Sequence, residues 1–202
     1  MSRYFAVAVA ATLIVACADR SPEPTAPLSV AVYGQAATKS DNANGGNFGT
    51  PMSPGEEVMP SGVVNTSNAV GNAIFQLSAD GTALSYKLIV ANIENVFMAH
   101  IHRAAAGVNG GIVVWLYPST APTQGPLAGG RIQGVIAEGT ITAANLVGSL
   151  AGQPLSALIE LLENGGAYVN AHTNDDVAPT NTGPGDYPGG EIRGQVEHRG
   201  HN

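Results

Sequence analysis

The sequence predicts an all-β fold, an antiparallel β-sandwich with one short helix. Three observations predict it. The 202 residues include 26 glycines and 13 prolines, enough to turn the chain at short intervals. Short apolar or alternating segments follow one another between those turns, and a single stretch has helical spacing instead. In "NAIFQLSADGTALSYKLIVANI", Phe75 and Leu77 alternate with polar residues. Asp80 and Gly81 supply a turn, and Leu84, Tyr86, Leu88 and Val90 then line one face of a second strand. "VFMAHIH" (96–102) reads as a third strand. "GGIVVWLYP" (110–118) reads as a fourth, apolar on both faces as a central buried strand is. "RIQGVIAEGTIT" (131–142) gives a fifth, with Gly134 placed for a bulge. In "GQPLSALIELLENGG", Pro154 suits a first helical position, Leu155, Leu158, Ile159 and Leu162 recur at helical spacing, and Asn164-Gly165-Gly166 stops the helix. "AYVNAHT" (167–173) and "EIRGQVEHR" (191–199) return to strand across a Pro- and Gly-rich loop, 174–190. No fixed period recurs, which argues against a propeller or solenoid.

The folded part is expected to begin near Phe48, and what precedes it reads as export machinery. "MSRYFAVAVAATLIVAC" carries one early positive charge, Arg3, and an apolar run from Phe5 to Ala16, the length of a signal-peptide core. Its end, "LIVAC", resembles the lipobox of bacterial lipoproteins. That resemblance implies removal of residues 1–16 and a lipid on Cys17, the only cysteine. Residues 17–47 then form a tether too poor in apolar surface to fold. The expected location is the cell envelope, attached to a membrane through Cys17. A net charge of −7 with 8 basic residues excludes the basic stripe that nucleic acid requires and any polybasic attraction to lipid.

Several motifs, taken in order, resemble one family. "GEEVMP", "FQLSADGTALSYKLIVANIENVFMAHIH", "NGGIVVWL", "GTITAANLVG", "GGAYVNAHT" and "PGGEIRGQV" are similar to the CHRD domain, named from chordin and widespread in exported bacterial proteins. The likeness spans about Phe48 to Val196, within a domain of residues 48–198 followed by a tail, 199–202. "EVMP" departs from the paired prolines usual there. A weaker likeness, resting on "AHIH" in a strand, is to the copper/zinc superoxide dismutase sandwich. The sandwich is therefore expected to be immunoglobulin-like or copper/zinc superoxide dismutase-like.

The histidines carry the chemistry. Residues i and i+2 of a strand share a face, so His100 and His102 point the same way. Tyr168, Asn170 and His172 share a face by the same rule, and His172 supplies a third imidazole if the two strands are neighbours. Three imidazoles suit zinc or copper. Glu191 is the expected carboxylate, as a fourth ligand or a support. Ordinary imidazoles are protonated at about pH 5, so binding is expected to fail there. Arg193 reads as a framework residue, Trp115 and Tyr117 as packing on a sheet face, and His198 and His201 as a frayed tail. No Gly-x-Ser-x-Gly elbow or free catalytic cysteine is present, and the reading leans away from an enzyme. The alternative to a metal-binding envelope protein is an interaction or adhesion module that docks a protein partner and uses its histidines structurally.

Overall fold

The computed structural model describes residues 46–119 and 129–199. The signal segment, Cys17, the tether up to residue 45 and His201 lie outside the described residues. Nine strands and one α-helix follow in chain order among those described: β1 (Asn47–Met52), β2 (Val70–Leu77), β3 (Leu84–Glu94), β4 (Val96–Arg103), β5 (Gly111–Tyr117), β6 (Arg131–Ile141), α1 (Leu155–Glu163), β7 (Ala167–Thr173), β8 (Ile192–Gln195) and β9 (Glu197–His198). They form two antiparallel sheets, ordered β6-β3-β2-β1-β9 and β5-β4-β7-β8. The all-β sandwich with one short helix is what the sequence predicts.

The β2–β3 hairpin shows why the pattern holds. Leu84, Tyr86, Leu88 and Val90 are buried while Ser85 and Lys87 are exposed, as a half-buried sheet requires. The connecting loop is tied by Asp80, whose carboxylate accepts hydrogen bonds from the Ser78 hydroxyl and from the Thr82 amide and hydroxyl. These bonds hold its carboxyl down at about 2. Opposite β3, Ile136 falls between the partners of Leu88 and Ile89, an irregularity two residues from Gly134. On α1, the buried residues are Leu155, Leu158, Ile159 and Leu162, and they join the same core as Phe75, Leu88, Ile101 and Val169. Tyr86 ties the sheets together by donating its hydroxyl to the Leu116 carbonyl at 2.9 Å.

Two expectations are corrected. The fourth strand, β5, lies at an edge of its sheet and is not central. Its runs of apolar residues are buried on both sides because the chain at 142–150 folds over it, the Val147 amide donating to the Val113 carbonyl. Register shifts against β4 allow consecutive Val113 and Val114 both to be buried. The last strand is not continuous either. At Val196, fully buried and donating its amide to Ala167, the chain passes from β8 in one sheet to β9 in the other. There β9 pairs with β1, and His198 packs edge-on against Phe48, so this histidine is not frayed.

Ile101 is fully buried in the core. Ile101→Ala should cost about 2–5 kcal/mol in urea denaturation and Ile101→Val about 0.5–1.5 kcal/mol. An Ile101→Ala protein as stable as the parent would show that this face of β4 does not pack against the second sheet.

Candidate metal centre

Strands β4 and β7 run antiparallel with His102 opposite Tyr168, His100 opposite Asn170, and Met98 opposite His172. Alternation sends Ala99, Ile101, Val169 and Ala171 into the core. His100, His102, Tyr168, Asn170 and His172 therefore share the other face. That outer face is nevertheless buried: His100, His102, Asn170 and His172 are 0, 7, 2 and 6% exposed. Three loops cover it and are bonded to one another and to the sheet. Ser53 exchanges backbone hydrogen bonds with Arg193, Asn109 donates to the Val58 carbonyl, and the Thr66 amide donates to the Tyr187 hydroxyl.

Within this polar layer one ligating atom from each of His100, His102 and His172 lies within 4.8 Å of the others. Hydrogen bonds fix their tautomers. His102 Nδ1 lies 2.9 Å from the Gly110 carbonyl and His172 Nδ1 lies 2.9 Å from the Pro188 carbonyl. A carbonyl only accepts, so both Nδ1 atoms carry the proton and both Nε2 atoms keep a lone pair. His172 Nε2 then accepts from His100 Nδ1 at 3.1 Å, which leaves a lone pair on His100 Nε2 as well. The Nε2 atoms of His100 and His102 are buried without a partner among the described residues.

The rings are also held from the side. Trp115 packs edge-on against His100 with centroids 4.1 Å apart, and Tyr168 stacks on His102 at 4.8 Å with planes 6° apart. Arg193 lies 3.4 Å above the Tyr168 ring, a cation–π contact. Its guanidinium donates to Asn109 Oδ1 and to the Ala105 and Val108 carbonyls, which confirms it as a framework residue. Gly110 shapes the wall that receives His102. A Cβ there would stand 2.0 Å from the Arg103 carbonyl oxygen, so only glycine fits.

Burial decides the protonation of the cluster. It lowers all three imidazoles: His100 to about 2, with His172 and His102 adding to the effect, and His172 to about 4, against the opposing pull of the Pro188 carbonyl. Burial lowers His102 too, partly offset by its bond to Gly110. All three are neutral at neutral pH, the state in which imidazole binds a metal. These buried histidines can hold a metal ion.

The structure brings His100, His102 and His172 together and leaves Glu191 out. The Glu191 carboxylate accepts 2.5 Å hydrogen bonds from the Ser67 and Thr173 hydroxyls and a 2.9 Å bond from the Gly185 amide. Both its oxygens accept hydrogen bonds that fasten the covering loops, it stands outside the group of three histidines, and it forms no ion pair with Arg193 among the described residues. The acid that faces this layer is Glu57, which sequence reasoning missed. The Asn170 amide beside it and the charge of Arg193 favour its ionised form, yet burial outweighs both and raises it to about 7. Its neighbour Glu56 is exposed, and an adjacent acidic pair gives no sign of which member turns inward.

In the unfolded chain imidazoles titrate near 6.5. The fold keeps them unprotonated well below that, so the unfolded state takes up protons first as pH falls. Their contribution to stability is whole above about 6.5 and is lost progressively toward about 4, by at most about 1.4 kcal/mol per pH unit for each imidazole. Glu57 acts in the opposite sense. Its contribution is whole below 4.5 and is lost as pH rises through about 7. Three imidazoles outweigh one carboxylate, so urea titrations of the metal-free protein should show stability falling from pH 6.5 to 4. The slope should shrink in His172→Gln. An identical slope in that variant would mean that other groups control the acid limb.

The family model of the CHRD domain matches residues 48–196. No curated protein and no solved structure matches the chain. The match takes in β1 through Val196, and with it all three histidines and most of the residues that hold them. With well over half of its length matched, the chain belongs to the CHRD domain family.

Proposed function

We propose that this protein is a non-catalytic metal-binding protein of the cell envelope, holding zinc or copper through His100, His102 and His172. One observation carries the reading: the Nε2 lone pairs of His100 and His102, on rings whose centroids lie 5.3 Å apart, are buried with no donor among the described residues. Buried polar atoms are nearly always paired, because leaving one bare costs about 1–3 kcal/mol. A cation between them removes that cost. The spacing suits it as well. One ligating atom from each histidine already lies within 4.8 Å of the others, so small ring displacements reach the edge of a tetrahedron, about 3.3–3.4 Å for zinc–nitrogen bonds of about 2.0–2.1 Å. A second reading, the protein-interaction module, draws on Val64, Val108 and Val177, which are 76, 54 and 63% exposed on the covering loops.

A tag-free preparation tests the metal reading. Zn²⁺ or Cu²⁺ should raise the melting temperature at about one equivalent, with about 2.7 kcal/mol of stabilisation at a concentration near 100 times the dissociation constant. His100→Ala, His102→Ala and His172→Ala should each lose most of it, and a chain lacking His201 should not. The fold corrects the expected pH limit. With His172 at about 4 and His100 at about 2, the effect should persist at pH 5 and fade near pH 4. If no metal shifts the melting curve, the interaction module becomes the leading reading.

Export and lipid anchoring through Cys17 complete the proposal, supported by the "LIVAC" end of an apolar run. Two acyl chains give a stable anchor where one does not. The wild type should leave membranes only with detergent, and Cys17→Ser should remain unprocessed or become soluble. A Cys17→Ser protein cleaved and membrane-bound like its parent would refute the anchor.

A further inference from the structure

The layer holding the three imidazoles contains another buried acceptor that no hydrogen bond explains. Asn170 sits on the floor of the cluster: directly opposite His100 in the β4–β7 register, two residues from His172, and diagonal to His102. It is 2% exposed, and its Oδ1 is buried with no partner among the described residues. Its amide lies beside the His102 ring. His102 has its only ring proton committed to Gly110, so its Nε2 has none to give. Two acceptor lone pairs therefore lie in one buried layer with no hydrogen bond to either among the described residues. Such a pair repels unless a cation sits beside both.

The amide cannot relieve this by turning over. The Asn170 amide lies against the Glu57 carboxyl, and toward a carboxylate only Nδ2 can donate. Turning the amide would set Oδ1 against that carboxylate. Gly190 leaves the space that the Glu57 carboxyl occupies, since a Cβ there would stand 2.3 Å from Glu57 Oε1. A glycine with φ of +135° is what allows the acid to lie there.

We propose that Asn170 Oδ1 is the oxygen ligand of the metal centre, beside the three imidazoles, and that Glu57 is the positioning residue that aims it. This rests on the metal reading above and refines it. Three nitrogens and a neutral oxygen suit Zn²⁺ or Cu²⁺, whereas the cuprous ion prefers thiolate and thioether ligands. The Glu57 carboxylate, beside the Asn170 amide, offsets part of the bound charge.

The test uses the whole chain, with Zn²⁺ competed against a chromophoric chelator and Co²⁺ as a spectroscopic probe. Asn170→Ala should weaken Zn²⁺ about 10–100-fold and alter the visible Co²⁺ bands, as water replaces the amide, while the metal-free melting temperature reports on the fold. Glu57→Ala should weaken Zn²⁺ about tenfold, and Glu57→Gln, which still accepts from Nδ2, should recover most of that loss. Asn170→Asp, of the same shape, should bind at least as tightly as the parent and shift the Co²⁺ bands. It is the deciding variant if Asn170→Ala does not fold. If the wild type binds neither ion, the metal reading itself fails. If the wild type binds while Asn170→Ala and Asn170→Asp keep its affinity and Co²⁺ spectrum, the three histidines stand as a metal site and the assignment of Asn170 is overturned.

Discussion

The antiparallel register of β4 on β7 is the constraint on which everything else in this structure depends. It places His100 against Asn170 and His102 against Tyr168 on one face, and in the same pairing puts Ile101 against Val169 on the other. A slip of one residue would invert both faces at once, moving imidazoles into the hydrophobic core and Ile101 into the polar layer. The core therefore enforces the geometry of the site: burial of Ala99, Ile101, Val169 and Ala171 fixes where the histidines stand. Strand-borne ligands are also better fixed than ligands on loops, because the sheet ladder removes backbone freedom that metal binding would otherwise have to remove.

A polar layer on the outside of a sheet ordinarily faces water. Here loops exclude it, and that burial is costly unless the loops bring their own hydrogen bonds. They do so by two charged anchors. Glu191 binds Ser67, Thr173 and Gly185, joining segments more than a hundred residues apart in sequence. Arg193 joins the 105–109 turn to the Tyr168 ring. Neither residue needs to touch an ion to be indispensable to the site. Removing either would leave several donors or acceptors buried and unpaired, an expensive kind of loss.

Much of this was legible in the sequence, and the failures have physical causes. Period-two alternation located β2, β3 and β4. The i, i+2 rule put both histidine strands on one face because it depends on backbone geometry alone. The apolar run of β5 misled, since a strand covered by a later segment looks the same as one flanked by strands. The crossing at Val196 was invisible because each half of 191–199 is a sound strand and only tertiary pairing divides them. Glu191 was misplaced for a related reason. Its sequence position beside the histidine-bearing strand β7 is as expected, but nothing local shows that Ser67 and Gly185 would bond its oxygens. Glu57 depends on contacts across more than a hundred residues, and Asn170 was placed on the correct face without its unpaired oxygen being visible.

The same geometry also says how an ion would enter. The Nδ1–H bonds to Gly110 and Pro188 point the Nε2 lone pairs of His102 and His172 inward, so neither ring has to change tautomer. The exception is the bond between His100 Nδ1 and His172 Nε2, where a proton occupies the lone pair that a metal needs. His172 becomes a ligand only when that bond opens, whichever nitrogen His100 then presents. A single neutral hydrogen bond is worth about 0.5–1.5 kcal/mol net, small beside the binding of a divalent ion to three imidazoles. It still favours one metal-free arrangement in which His100 and His172 satisfy each other and His102 waits unpaired beside Asn170. A metal-free site closed by one weak bond can stay folded without its ion, and it needs only a ring displacement, not a change of backbone, to accept one.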